Sequence, residues 1–226
     1  MNKRIIIIGG EGNGGVVAAC IEDMRENYSD SKYEVLGFLN DFELVDRRIK
    51  NYPIMGKTET VKDYFEDESI LFMYAIHPVG HGSLRIGLFE KIGIPEEKLA
   101  TVIHPSAFVA NNTKIEPGVM IMSNCYVGPA ACIKKCALVM ANSIVGHNTT
   151  VGAFCHLSAG SVTSSYVELG TASDVALNAT VVDKVKIGKY AVVGAGAMVI
   201  KDVNEEDVVV GNPARVIRKA SDKERY

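Results

Sequence analysis

Residues 144–169 read IVGHNTTVGAFCHLSAGSVTSSYVEL, and their spacing decides the fold. Val145, Val151, Leu157, Thr163 and Leu169 recur every six residues, a step that fits neither a helical period of 3.6 nor the simple alternation of a strand. Continued in both directions, the same step runs from Ile103 through Val109, Ile115, Ile121, Val127, Ile133 and Val139, and on through Val175, Val181, Ile187 and Val193 to Val199. Sixteen of these seventeen positions are Ile, Leu or Val, which in a chain 47% hydrophobic is a chance event of about 10⁻⁴ or less. Four residues beyond each of the first sixteen stands a second series, from Ala107 and Thr113 through Cys125, Thr149 and Cys155 to Ala197, none larger than valine. Glycine often follows the aliphatic directly, as at Gly128, Gly146, Gly152, Gly170, Gly188 and Gly194.

A six-residue unit is one short strand and a turn, and three units close a triangular coil. Stacked coils place each aliphatic over the one eighteen residues earlier, while the small series fits the narrow corners. One coil cannot bury its inner face alone, so several must stack. The glycines are expected to supply turn conformations with positive φ. The period therefore predicts a parallel β-helix over 101–200.

Upstream the pattern changes. Lys3–Gly9 reads as a buried strand, GGEGNGG follows, and Val16–Arg25 reads as a helix. Tyr33–Leu39 and Ile70–Ile76 read as strands, and Leu84–Ile92 as a helix. Strands alternating with helices predict a small α/β, Rossmann-like domain over 1–100. Beyond Val199 the period stops, and 201–226 is expected to hold a segment, VVVGNPARVIRKA, that packs over the last coil before a charged tail, Ser221–Tyr226.

Composition narrows the function. Twenty-four basic and 27 acidic side chains give a net charge of -3, with no basic footprint for nucleic acid. The four isoleucines after Met1–Arg4 are too short for a signal peptide or a membrane span, and a soluble, cytoplasmic protein is expected. The five cysteines lack paired metal spacing, so buried reduced thiols and no metal are expected.

The IIGG-x-G-x-x-G opening, FLND at the second strand's end, IHPSA before the repeats, VGHN within them and VGAGAMVIKDV…VVGNPAR after them together resemble the bacterial sugar acyltransferases of the sialic-acid O-acetyltransferase type. This family includes N-acetyltransferases for nucleotide-linked amino sugars. The resemblance implies a left-handed β-helix, a homotrimer, acetyl-CoA as co-substrate, and active sites in clefts between neighbouring subunits. It implies that His147 is the general base, that Asn148 stands where the family commonly has Asp or Glu, and that His156 helps position donor or acceptor. Ser165, Gly194, Ala195 and Gly196 are implied donor contacts, as are Lys201, Pro213 and Arg215.

The positions of the polar residues carry expectations of their own. His147 lies two positions past Val145, in a turn, and should leave the coil; His156 precedes the inward Leu157 and should point outward. Both fit an inter-subunit cleft, and both fit solvated surface histidines. His104, at the first coil, reads as structural. Gly10, Gly12 and Gly15 precede or open a helix, where phosphate binds well. Asn40 and Asp41 at a strand end suit a nucleotide base or ribose. His77 is expected either to line the same site or to be a polar loop residue, and Arg85 to meet a phosphate or lie on a helix surface. N-acetylation of a nucleotide-linked amino sugar is the leading expectation. O-acetylation of a sugar hydroxyl such as that of a sialic acid comes second, and a zinc carbonic anhydrase third.

Overall fold

The computed structural model describes residues 3–42 and 47–220; the expected charged tail lies outside them. The N-terminal part is an α/β unit. Strands β1 (Lys3–Ile8), β2 (Tyr33–Leu39), β3 (Arg48–Ile49), β4 (Tyr52–Gly56) and β5 (Ile70–Tyr74) form one sheet in the order β3-β4-β2-β1-β5. All its pairings are parallel except the short β3–β4 hairpin, which the sequence reading did not anticipate. Helices α1 (Asn13–Tyr28) and α2 (Gly82–Ile92) begin earlier than the apolar pattern suggests, because their first turns are glycine-rich. The isoleucine run of β1 is explained by its central place. Ile5 and Ile7 pack with Val17, Ile21 and Met24 of α1, whereas Ile6 and Ile8 pack with Phe89 and Ile92 of α2. A strand buried on both faces has no polar side to alternate with.

From Val102 onward seventeen two-residue strands, β6 (Val102–Ile103) to β22 (Met198–Val199), succeed one another at six-residue steps. They form a parallel β-helix with three sheets, in which Val127 pairs with Val145 and Val145 with Thr163, eighteen residues on. The second residue of each strand is the predicted aliphatic and points inward. The exception, Thr163, is buried with its hydroxyl donating to Ile144 O at 3.1 Å. Polar members of the small series are likewise satisfied: Thr149 Oγ1 donates to Ser164 O at 2.7 Å, and Ser143 Oγ to Ser158 O at 3.1 Å.

The glycines after the aliphatics serve a different purpose from the one expected. Left-handed φ falls two residues further along, mostly on non-glycine residues such as Asn142, Asn148 and Asn178. At Gly146 a Cβ would stand 2.4 Å from the carbonyl carbon of Ser164 in the next coil, so glycine is required by coil-to-coil approach.

The three outer faces differ. The first face, with Val102, Met120, Leu138, His156 and Asp174 pointing outward, packs against the α/β unit; Met120 and Leu138 share a cluster with Ile5 and Ile7. The second carries Phe108, Tyr126, Ile144, Val162, Thr180 and Met198. Its first three are 56, 43 and 41% exposed, and Phe108 stacks on Tyr126 at 5.1 Å. The third is polar, with Lys114, Cys132, Thr150, Glu168 and Lys186. Strand β23 (Asp207–Val210) extends the first sheet and β24 (Arg215–Lys219) returns antiparallel to it, so VVVGNPARVIRKA does pack on the last coil. No helix among the described residues is long and apolar enough to cross a membrane.

Candidate active site

His147 stands on the edge between the second and third faces, in the turn after Ile144–Val145, and is exposed as that position implies. Asn148 comes next in the left-handed conformation, φ 57°. Its Oδ1 lies 3.0 Å from His147 Nδ1. An amide oxygen can only accept, so Nδ1 carries the proton and Nε2 keeps its lone pair for the solvent side. The ring of Tyr166, one coil further, stands nearly perpendicular to the imidazole, with centroids 5.1 Å apart. Sequence reading passed over Tyr166, although stepping eighteen residues from Asn148 arrives at it.

Three other predicted residues meet elsewhere, in the seam between the α/β unit and the first face. Arg85 is neither on a helix surface nor set to meet a phosphate. It is fully buried, paired with Asp174 at 2.7 Å, and donates to the carbonyls of Pro78 and Phe154. Asp174 also accepts from Gly80 N at 2.7 Å. His77, 2% exposed, places Nε2 2.9 Å from Cys136 O, which makes Nε2 the donor. His156 does point out of the coil, but the α/β unit covers it and leaves it 4% exposed. Its Nε2 lies 3.1 Å from Met140 Sδ, and its ring meets that of His77 at 5.9 Å. Burial, reinforced by the Arg85 charge, holds His156 neutral down to a pKa of about 4 and moves His77 well below its usual range. His77 Nδ1, His156 Nδ1 and Arg85 Nε have no hydrogen-bond partner. Within one chain His156 thus belongs to the domain seam, on a face that does not adjoin the His147 edge. His104 is structural: its Nε2 contacts Asp23 Oδ2 of α1 at 2.8 Å, and Ser106 N donates to its Nδ1 at 3.2 Å.

Of the other predicted residues, Gly10, Asn40 and Asp41 border a cleft of about 540 Å³ at the carboxyl ends of β1, β2 and β5, which Asn13, Phe42 and Pro78 also line, whereas Gly12 and Gly15 are not part of its lining. β1 leads to β2 on one side and β5 lies on its other, and ligands of open α/β sheets sit at such a reversal. Asn40 Oδ1 accepts from Phe42 N at 2.7 Å, and both Asp41 oxygens accept from Thr58 at 2.8 Å, so loop bonds hold these groups at the rim. Gly10 sits tightly against Asn40, where a Cβ would lie 2.8 Å from Nδ2. Gly12 precedes α1 with open space around it, and the glycine that packs closely on the sheet is Gly14, with Gly15 only in ordinary contact. His77 does not line this cleft; its carbonyl accepts from Nδ2 of Asn13, which does, at 3.2 Å.

Residues 4–92 match the family model of the PglD N-terminal domain, and residues 98–182 that of the GMPPB C-terminal domain. PerB from Caulobacter crescentus, solved with CoA and GDP-perosamine, is 26% identical with a TM-score of 0.80, covering 95% of this chain and 97% of its own. The same protein, a perosamine N-acetyltransferase, has also been solved with one histidine replaced by Asn, at 25% identity and a TM-score of 0.81. The acetyltransferase domain of PglB from Neisseria gonorrhoeae is 25% identical with a TM-score of 0.82, covering 96% of this chain and all of that domain. Over nearly its whole length the chain is thus similar to bacterial sugar acetyltransferases. No curated protein sequence matches it.

The residues expected to contact the donor fall around the second face. Ser165 and Lys201 stand on the His147 edge, one and three coils along. Gly194, Ala195 and Gly196 form a turn on the opposite edge of that face. Pro213 and Arg215 border its last strand, where Met198 bonds Gly211 and Ala214. Burial pushes the Cys125 and Cys155 thiols up to about 11, which makes these two poor nucleophiles. Among the described residues no group of three or more metal-ligating side chains is placed to hold an ion.

Proposed function

We propose that this chain transfers the acetyl group of acetyl-CoA to the amino group of a nucleotide-linked amino sugar, as a cytoplasmic homotrimer of left-handed β-helices. The observation that carries the reading is the His147–Asn148 pair, which leaves Nε2 unprotonated and exposed on an edge of the prism. In the reaction the sugar amine attacks the thioester carbonyl and Nε2 takes its proton. The tetrahedral intermediate then collapses, the C–S bond breaks, and the imidazolium returns the proton to the leaving CoA sulfur. Asn148 orients the ring without charging it. That suits an amine, which is nucleophilic once neutral, better than a sugar hydroxyl, which needs a stronger base.

In this reading residues 1–100 hold the acceptor nucleotide, with Gly10, Asn40 and Asp41 lining the cleft and Gly12 and Gly15 at the start of α1. Residues 101–200 carry the transfer, and 201–226 close the last coil. Two features support a site made by two chains. The second face is an exposed apolar ladder that a neighbouring copy would cover. His147 also stands on the one edge that does not border the face holding the α/β unit, which favours an acceptor presented by another subunit. Ser165, Lys201 and the turn Gly194–Gly196, all bordering that face, then contact the donor.

The test is free-thiol release from acetyl-CoA over a panel of UDP-, GDP- and dTDP-amino sugars. One amine acceptor should stand out and give an alkali-stable amide. An alkali-labile product would move transfer to a hydroxyl, and a monomer in sedimentation at micromolar concentration would overturn the shared site.

A further inference from the structure

We infer that Tyr166 is the positioning residue of the base: its ring, set against the His147 imidazole, keeps Nε2 turned to the acceptor. The inference rests on His147 being the base.

The need for such a residue arises from where His147 stands. Its side chain leaves an exposed turn with two free torsions. Its hydrogen-bond partner is the adjacent Asn148, whose side chain is also exposed and has two torsions of its own. A pair of that kind fixes the tautomer and still allows both side chains to swing together. Tyr166 supplies the missing constraint. It belongs to the next coil, its N–H donates to His147 O at 3.0 Å, and its ring meets the imidazole at 5.1 Å and 84°. That edge-to-face geometry is the preferred one for aromatic pairs.

The residue type is unexplained otherwise. Tyr166 has φ 58°, a conformation that disfavours bulky side chains, and is 51% exposed. At the same turn position in the coils on either side stand Asn148 and Lys184. Among the described residues two other aromatics adopt this conformation, Phe154 and Tyr190, both on the edge facing the α/β unit. Phe154 is 6% exposed and packs on Phe89 at 5.0 Å, and Tyr190 adjoins the same core. Tyr166 has no such core, and its ring contact is with the base.

The experiment compares Tyr166→Phe, Tyr166→Ala and His147→Ala, using acetyl-CoA and the acceptor found in the panel. The Phe variant should keep kcat within about twofold. The Ala variant should lose roughly 3- to 10-fold in kcat, the size of one aromatic contact, with both KM values within about twofold. Proton NMR of the His147 ring should show a ring-current displacement that the Ala variant loses and the Phe variant keeps. Parental kcat in Tyr166→Ala, beside an inactive His147→Ala, would overturn the positioning role and leave the base intact. A Phe variant as slow as Ala would overturn it too, assigning the work to the hydroxyl. Full activity in His147→Ala would instead remove the base itself, a result neither Tyr166 variant can produce.

Discussion

His147 and His156 lie nine residues apart on the same coil, yet their surroundings are opposite. His147 sits at an edge in contact with solvent, with one amide for a partner. His156 lies under the α/β unit among Met140, His77, Arg85 and Asp174, with its Nδ1 4.0 Å from Asp174 Oδ1 and making no hydrogen bond. An exposed imidazole offers its free nitrogen to a substrate. A buried one beside a guanidinium stays neutral and stiffens the joint it occupies. In this repeat fold, therefore, the face or edge on which a histidine falls determines what it can do.

The contrast breaks most sharply at the edge. His147→Ala should lower kcat by about 10²–10⁴, the usual cost of a lost general base, with acetyl-CoA binding near normal by titration calorimetry. Activity within threefold of the parent would remove His147 from the chemistry.

The seam should respond in stability. Arg85→Met strands the Asp174 carboxylate inside, and losing one partner of a buried pair costs about 3–5 kcal/mol in denaturant unfolding. Arg85→Met combined with Asp174→Leu should recover much of that loss. A single variant as stable as the parent would mean that water reaches the seam.

Acid sharpens the same point. His156 titrates near 4 in the fold against an ordinary 6.5, so the unfolded chain binds more protons between those values. The stabilisation is complete above about 6.5 and falls as the pH drops toward 4, by up to about 3 kcal/mol for this group. His77 acts in the same direction. His156→Gln should flatten the slope of melting temperature against pH over that window; an unchanged slope would place the acid sensitivity elsewhere.

The smallest effect is expected from Asn148→Asp. A carboxylate beside Nδ1 favours the imidazolium, so the acidic limb of the pH–rate profile should move up by about one unit or less. A shift in the other direction would show that Asn148 does not orient the ring.

Much of this was legible in the chain. The six-residue period specifies strands, inward residues and coil stacking because all three are local or one coil apart. The outward direction of His147 came from its place in a turn of that period, and that of His156 from strand alternation. The identity of whatever covers an outward residue did not. Arg85 and Asp174 are 89 residues apart, and no period links them. His77 and Arg85 thus read as nucleotide contacts when they join the two parts of the chain. The glycines were found for the wrong reason, since a close approach between coils and a positive φ select the same residue. Asn40 and Asp41 were placed by strand logic alone, because a strand end stays at the sheet's rim whatever packs around it.

The eighteen-residue register also limits how the chain can change in length. Removing six residues from the middle of the prism would move every later strand onto the neighbouring sheet. The apolar ladder would then continue on the polar side, and Asp174 would turn away from Arg85. Removing eighteen would return each strand to its own sheet and shorten the prism by one storey. Insertions and deletions inside 101–200 should therefore be tolerated in whole coils, and loops that break the period should fall only at turns, where they add to an edge without rotating the later coils.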